Sequence, residues 1–152
     1  MKILDVLKQE TIFSELTATD KKGVLLELTG PVAQVSGANH DEMVRVLLER
    51  ERLGSTGIGT GVAIPHGKLK SLDSLLVGFG RSRKGIDFDA IDGKPAHLFF
   101  LLMAPENSTG AHLRMLARIS RLLKDSALRQ SLMDAADRHD LYRLIENEDH
   151  EL

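Results

Sequence analysis

The stretch ERLGSTGIGTGVAIPHGK, Glu51 to Lys68, concentrates the residue types in this chain that could do chemistry. Five glycines fall between Gly54 and Gly67, and a short apolar run leads into Pro65-His66. Histidine is the side chain most easily poised between proton donor and nucleophile near neutral pH, and the neighbouring Gly67 lets other backbone come close. Two phosphate-cradling patterns fail here. A Walker loop ending in Gly67-Lys68 would need glycine where Val62 stands and a hydroxyl where Leu69 stands. Gly57, Gly59 and Gly61 give G-x-G-x-G after a helical pattern and before a strand, the reverse of the dinucleotide fingerprint. Two readings stay open on this stretch alone: glycines that merely turn the chain with an inert loop histidine, or a loop that presents His66 for chemistry.

The elements around that stretch have to position it. Asp20 to about Gln34 reads as a helix, with Val24, Leu25, Leu28 and Val32 on one face; Pro31 makes it end early or kink. A second helix is expected from about Asp41 to Leu53, opened by Asn39 and Glu42 in the manner of a capping box, with Met43, Val46, Leu47 and Leu48 as its buried side. GVAIPH reads as a short strand ending at Pro65. Ser74 to Ser82 alternates as a strand, and a hairpin or tight turn is expected around Asp92-Gly93. The nearly all-apolar run Ala96 to Ala104, bounded by Pro95 and Pro105, reads as a central strand covered on both faces. Val62, Ala63, Ile64 and Met103 are assigned to the core. Three helical patterns follow, about Thr109–Lys124, Ser126–Ala136 and Asp140–Glu148, the first with Leu113, Leu116, Ala117, Ser120 and Leu123 as its core stripe. Helices on either side of a block of strands imply an α/β fold with helices packed on the sheet faces.

Composition narrows the function classes. The chain has 152 residues and 42% hydrophobic content, which suits one globular domain spanning 1–152. Basic and acidic residues number 20 and 22, so no net field draws the chain to nucleic acid or to a membrane surface. One tyrosine and no tryptophan leave little for stacking on bases. Cysteine is absent, which removes disulfides, thiolate catalysis and cysteine-bound metals. The charged start MKILDVLKQE has no signal-peptide core, and no apolar run is long enough for a membrane helix, so a cytoplasmic protein is expected.

LLERERLGSTGIGTGVAIPHGK together with HLFFLLMAPENSTGAHLRMLARISRLLKD resembles the fructose/mannitol/nitrogen-type enzyme IIA domains of the bacterial phosphotransferase system (PTS). The likeness runs in register over about Leu4 to Glu146, and the second segment looks most like the nitrogen-regulatory branch. The resemblance implies a mixed β-sheet of about five strands flanked by helices. It implies a phosphorelay protein that accepts a phosphoryl group on Nε2 of the IPH histidine, His66, from a phosphohistidine on a small carrier resembling HPr or its nitrogen-branch counterpart NPr. It also matches Arg50, as a charge stabiliser, and His112, as a hydrogen-bond donor to phosphate. Further partners it implies are regulatory targets or a IIB domain; it implies no cofactor and no metal. A sugar-transport IIA is the alternative within this chemistry, and a phosphate-independent binding module is the alternative outside it.

Phosphoryl transfer asks a protein chiefly for positioning and charge stabilisation. The attacking imidazole must be neutral, so its other nitrogen should be held by a carbonyl, from Gly67 or the glycine segment. Arg50 could serve as a donor fork on phosphoryl oxygens or simply as a cation at a helix C-terminus. His112 falls in the first turn of its helix if Ser108 or Thr109 caps it, where the helix dipole disfavours imidazolium. His40, His97, His139 and His150 show no ligand spacing and are read as structural. Arg114, Arg118 and Arg121 share a helical face, read as solvated, with docking of an acidic partner as the alternative.

Overall fold

A computed structural model describes residues 1–152. After a 3-10 turn at Ile3–Asp5 come β1 (Leu7–Phe13), α1 (Lys21–Ser36) and α2 (His40–Arg52). Four strands follow: β2 (Gly57–Gly59), β3 (Val62–Ala63), β4 (His66–Leu69) and β5 (Leu76–Ile86). The chain then forms β6 (Ala96–Pro105), α3 (Thr109–Leu122), α4 (Ser126–Asp134) and α5 (Arg138–Glu151). The strands form one mixed sheet ordered β1-β5-β6-β3-β2, with β4 also paired to β6. Strand β6 is antiparallel to β5 and parallel to β3 and β4. The expected mixed α/β sheet is therefore present, with six strands.

Strand β6 is central and its side chains alternate between two cores. Leu98, Phe100, Leu102 and Ala104 pack with Met115, Ile119, Leu132, Leu141 and Ile145 from α3, α4 and α5. Phe99, Leu101 and Met103 pack with Leu25, Leu28, Met43 and Leu47 from α1 and α2. An all-apolar strand is the pattern that burial on both faces demands. Val62 and Ile64 join the first core, and Ala63 and Met103 the second, as assigned from sequence.

Several expectations are corrected. Helix α1 neither ends nor breaks at Pro31; it runs to Ser36 and stops at Gly37, whose φ of 73° suits a residue without a Cβ. Val24, Leu25 and Leu28 before the proline and Val32 and Ala33 after it are all buried. That shared burial outweighs the penalty of about 3 kcal/mol for an interior proline. Asn39 caps α2 by accepting from the Glu42 backbone N–H at 2.9 Å. The buried side of α2 is Met43, Val44, Leu47 and Glu51, with Val46 and Leu48 only half-buried. The core stripe of α3 is His112, Met115, Ile119 and Leu122; of the expected stripe, Leu123 is buried just past the helix and Leu116 packs half-buried against the core, but Leu113 is 60% exposed. Histidine and methionine at the first two positions of the core stripe hide the helical period from a count of aliphatic residues. Strands β1 and β2 were not expected: β1 exposes Lys8, Gln9 and Glu10 in a row, and β2 is two glycines around Ile58.

Strand β5 runs from Leu76 to Ile86, past its expected limit at Ser82, and within it Arg81 is fully buried and acts as a clamp. Its Nε donates to the Ser14 carbonyl at 2.9 Å, and its Nη1 donates to the carbonyls of Leu132 at 2.8 Å and Ala135 at 2.6 Å. These last groups are carbonyls at the end of α4, where a cation is favoured by the helix dipole. The expected turn is present, with Gly93 at φ 71° donating to the Ala90 carbonyl at 2.9 Å. The three-arginine face of α3 divides: Arg114 and Arg121 are exposed, but Arg118 donates from Nε to Asp149 of α5 at 2.7 Å. No helix is long and apolar enough to cross a membrane.

Candidate active site

The expected short strand ends just before Pro65, at Ala63, but a further strand, β4, opens directly after it at His66. Val62 and Ala63 pair with Leu98 and Phe99, pairing lapses at Ile64-Pro65, and it resumes in the same register with His66 opposite Leu102. Proline has no N–H for the ladder, so the lapse falls where the sequence requires one. His66 is thereby the first residue of β4, not a residue in a free bend, and it is half-buried.

The lapse also frees the Ile64 carbonyl, which lies 2.7 Å from His66 Nδ1. A carbonyl can only accept, so Nδ1 carries the proton and Nε2 keeps its lone pair. The tautomer-fixing partner is Ile64, two residues before the histidine, not Gly67. Gly67 instead sets the helix–strand distance. A Cβ there would stand 2.8 Å from Val46 Cγ1, so its absence lets α2 lie close against β4.

That approach brings in Arg50, in the last turn of α2, whose Nη1 donates to the Gly54 carbonyl at 2.9 Å. The pKa of His66 lies below the ordinary histidine value chiefly because burial penalises its charged form. The Ile64 hydrogen bond opposes that shift, the Arg50 charge adds to it, and the Glu51 charge opposes it.

His112 reaches the same place from α3. Its ring meets that of His66 edge to face, with centroids 5.4 Å apart and planes at 87°. It is 6% exposed, and its Nδ1 is buried with no hydrogen-bond partner. Burial pushes its pKa down to about 4, with the neighbouring His66 and Lys68 adding to the shift. Neither Ser108 nor Thr109 caps α3 in the expected way: the Ser108 hydroxyl donates to the Pro105 carbonyl at 2.9 Å, and the Thr109 hydroxyl accepts from Lys68 Nζ at 2.8 Å.

Lys68 and Glu51 are the site neighbours that sequence reasoning missed. Lys68 follows His66 by two along β4, the spacing that puts strand residues on one face. Glu51 follows Arg50 directly, and the charged run of α2 disguised its burial. The remaining histidines with ring contacts are occupied elsewhere: His40 Nε2 lies 2.8 Å from the Thr29 hydroxyl, His97 Nδ1 lies 2.9 Å from the Ser82 carbonyl, and His150 Nδ1 lies 3.0 Å from Lys2 Nζ.

The cluster combines a neutral imidazole with a free lone pair, a second neutral imidazole, a guanidinium, an ammonium and a helix N-terminus. Such an assembly suits an anionic electrophile: the lone pair attacks while cations and N–H groups take up negative charge.

Comparison with known proteins agrees with that chemistry. The family described as phosphoenolpyruvate-dependent sugar phosphotransferase system, EIIA 2, matches residues 5–148. A nitrogen regulatory protein of Bradyrhizobium diazoefficiens is 42% identical over 145 residues, 95% of each chain. The fructose-specific EIIABC component of the PTS in Bacillus subtilis is 35% identical over 150 residues, which span 98% of this chain and 24% of that much longer one. The crystal structure of nitrogen regulatory protein IIA-Ntr from Neisseria meningitidis superposes with a TM-score of 0.88 at 34% identity, covering 93% of this chain and 97% of that one.

Proposed function

Because the chain belongs to the EIIA 2 family of the phosphotransferase system, we propose that it is a phosphorelay protein of the nitrogen-regulatory type that accepts a phosphoryl group on His66 Nε2. The donor is a phosphohistidine on a small carrier of the HPr or NPr kind. In the transfer, the N–P bond of the donor breaks as the His66 Nε2 lone pair forms a new one, and the donor ring recovers its own lone pair. No proton need move. His66 keeps its Nδ1 proton, and the Ile64 carbonyl stabilises the positive charge that develops on the ring.

Arg50 offers a planar fork of donors to the phosphoryl oxygens, and neutral His112 offers one ring N–H. The phosphoryl group then adds a charge of about −1.5 to −2 beside α3, which regulatory partners can read. In this proposal the whole chain, residues 1–152, works as one IIA unit in the cytoplasm.

The observation that carries the reading is the 2.7 Å contact between His66 Nδ1 and the Ile64 carbonyl, which leaves Nε2 as the nucleophile. The test is incubation with a phosphorylated carrier, followed by mass spectrometry under conditions that preserve phosphohistidine. Label is expected on His66, and a His66→Ala protein that labels normally would overturn the assignment.

The likeness to a fructose-specific component favours a second reading, in which the phosphoryl group passes on to a IIB domain. Fast transfer from the labelled protein to one member of a panel of IIB domains would establish it. Identical partner sets for wild type and His66→Ala after carrier treatment would instead point to binding that ignores phosphate.

A further inference from the structure

Glu51 carries a carboxylate that is 4% exposed, a costly placement for a charge unless it is well partnered. Its Oε1 lies 3.1 Å from Lys21 Nζ and accepts from the Thr56 backbone N–H at 3.2 Å. Its Oε2 accepts from the Thr56 hydroxyl. Lys21 in turn lies 3.1 Å from Asp89 and 4.8 Å from the centre of the Phe88 ring. Thr56 is itself buried, and all of its polar groups are engaged: its carbonyl accepts from the Ile64 N–H at 3.0 Å.

That last bond matters because of where Ile64 stands. It occupies the lapse between β3 and β4, and Pro65 after it has no N–H to anchor the chain. On the other edge the Leu102 N–H binds the Pro65 carbonyl at 3.0 Å. The Thr56 carbonyl is therefore what holds the Ile64 N–H, in the same residue whose carbonyl binds His66 Nδ1 at 2.7 Å. A continuous run of hydrogen bonds leads from Lys21 through Glu51, Thr56 and Ile64 to the imidazole.

We propose that Glu51 is a positioning residue which, through Thr56 and the backbone of Ile64, holds His66 in the tautomer whose Nε2 lone pair is free. The proposal rests on the reading of His66 as the phosphoryl acceptor. Two neighbours on α2 thus divide the work: Arg50 faces the incoming group, and Glu51 braces the loop that aims the nucleophile. The buried carboxylate, unexplained by stability alone, gains a role from this arrangement.

The test uses Glu51→Gln, Thr56→Val and Thr56→Ser in the full chain, each checked for folding by circular dichroism. Two-bond proton–nitrogen NMR spectra report the His66 tautomer with no phosphoryl donor present. The wild type is expected to show Nδ1–H alone, and Glu51→Gln and Thr56→Val a mixture of tautomers. With a phosphorylated HPr-type carrier, those two variants should lose at least about tenfold in kcat with KM unchanged, the scale seen when a histidine's orienting partner is removed. Thr56→Ser, which restores the hydroxyl, should recover both signals.

A Thr56→Val protein that is folded, shows pure Nδ1–H His66 and keeps the wild-type kcat overturns the proposal, whether or not Glu51→Gln folds. If the wild type takes no phosphate at all, the phosphorelay reading falls, while the NMR comparison still decides the role of Glu51.

Discussion

The imidazoles of His66 and His112, one opening a β-strand and the other near the start of a helix, meet edge to face with centroids 5.4 Å apart. Both are kept neutral at physiological pH, mainly by burial. A charge on His112 would face the His66 ring and Lys68, and a charge on His66 would face Arg50.

That electrostatic setting predicts a pH dependence of stability. His112 has its pKa moved from 6.5 to about 4 by folding, and His66 is shifted in the same direction. As pH falls below 6.5, the unfolded chain takes up protons that the folded chain refuses. The contribution of His112 is therefore fully present above pH 6.5 and is lost as pH falls through about 4, and that of His66 is lost in the same direction below the ordinary histidine range. Urea midpoints measured over this range should decline with falling pH, and His112→Gln should flatten the slope.

Phosphoryl acceptance should follow the same logic kinetically. Because the His66 pKa is depressed, the rate should hold as pH is lowered to the ordinary histidine range and fall only below it. Rapid-quench labelling across that range checks this, and a midpoint at or above the ordinary value would contradict it.

Arg50→Lys keeps the charge but loses the planar fork and the bond to the Gly54 carbonyl. A drop of about tenfold or more in kcat/KM for phosphoryl acceptance is expected, with little change in the urea midpoint. Labelling kinetics beside equilibrium unfolding separate the two effects.

Arg81→Met should destabilise the fold by at least about 2 kcal/mol, because carbonyls of Ser14, Leu132 and Ala135 lose a charged donor in a buried setting. Equilibrium unfolding in urea measures it. Labelling of His66 in the remaining folded protein should be unchanged, since this clamp joins β5 to α4 away from the site.

Asp149→Asn should cost about 3 kcal/mol, the scale for breaking one side of a buried ion pair. Asp149 is 1% exposed and holds both Arg118 at 2.7 Å and the Leu4 N–H at 3.1 Å. Hydrogen exchange in the first turn of the chain should rise with the loss.

The sequence by itself determined those parts of this protein that local physics controls. The all-apolar run of β6 announced a strand buried on both faces, and it is the centre of the sheet. Asn39 marked the start of α2, and Gly67 beside His66 marked a close approach, though of the α2 side chain Val46 and not of backbone. The motifs around His66 and after Pro105 sufficed to identify the family. Tertiary structure alone decided the rest. Pro31 stays inside α1 because the sheet buries both halves of one helix face, a gain no local propensity contains. The α3 stripe is read correctly only once His112 is known to face inward, against a ring far away in sequence. The choice of Ile64 as the partner of His66 follows from the register of two strands across a proline, and the burial of Glu51 follows from where Lys21 and Thr56 meet it. Spacing along a chain fixes the period of an element; which of its faces is inside, and which distant group it meets there, is fixed by packing.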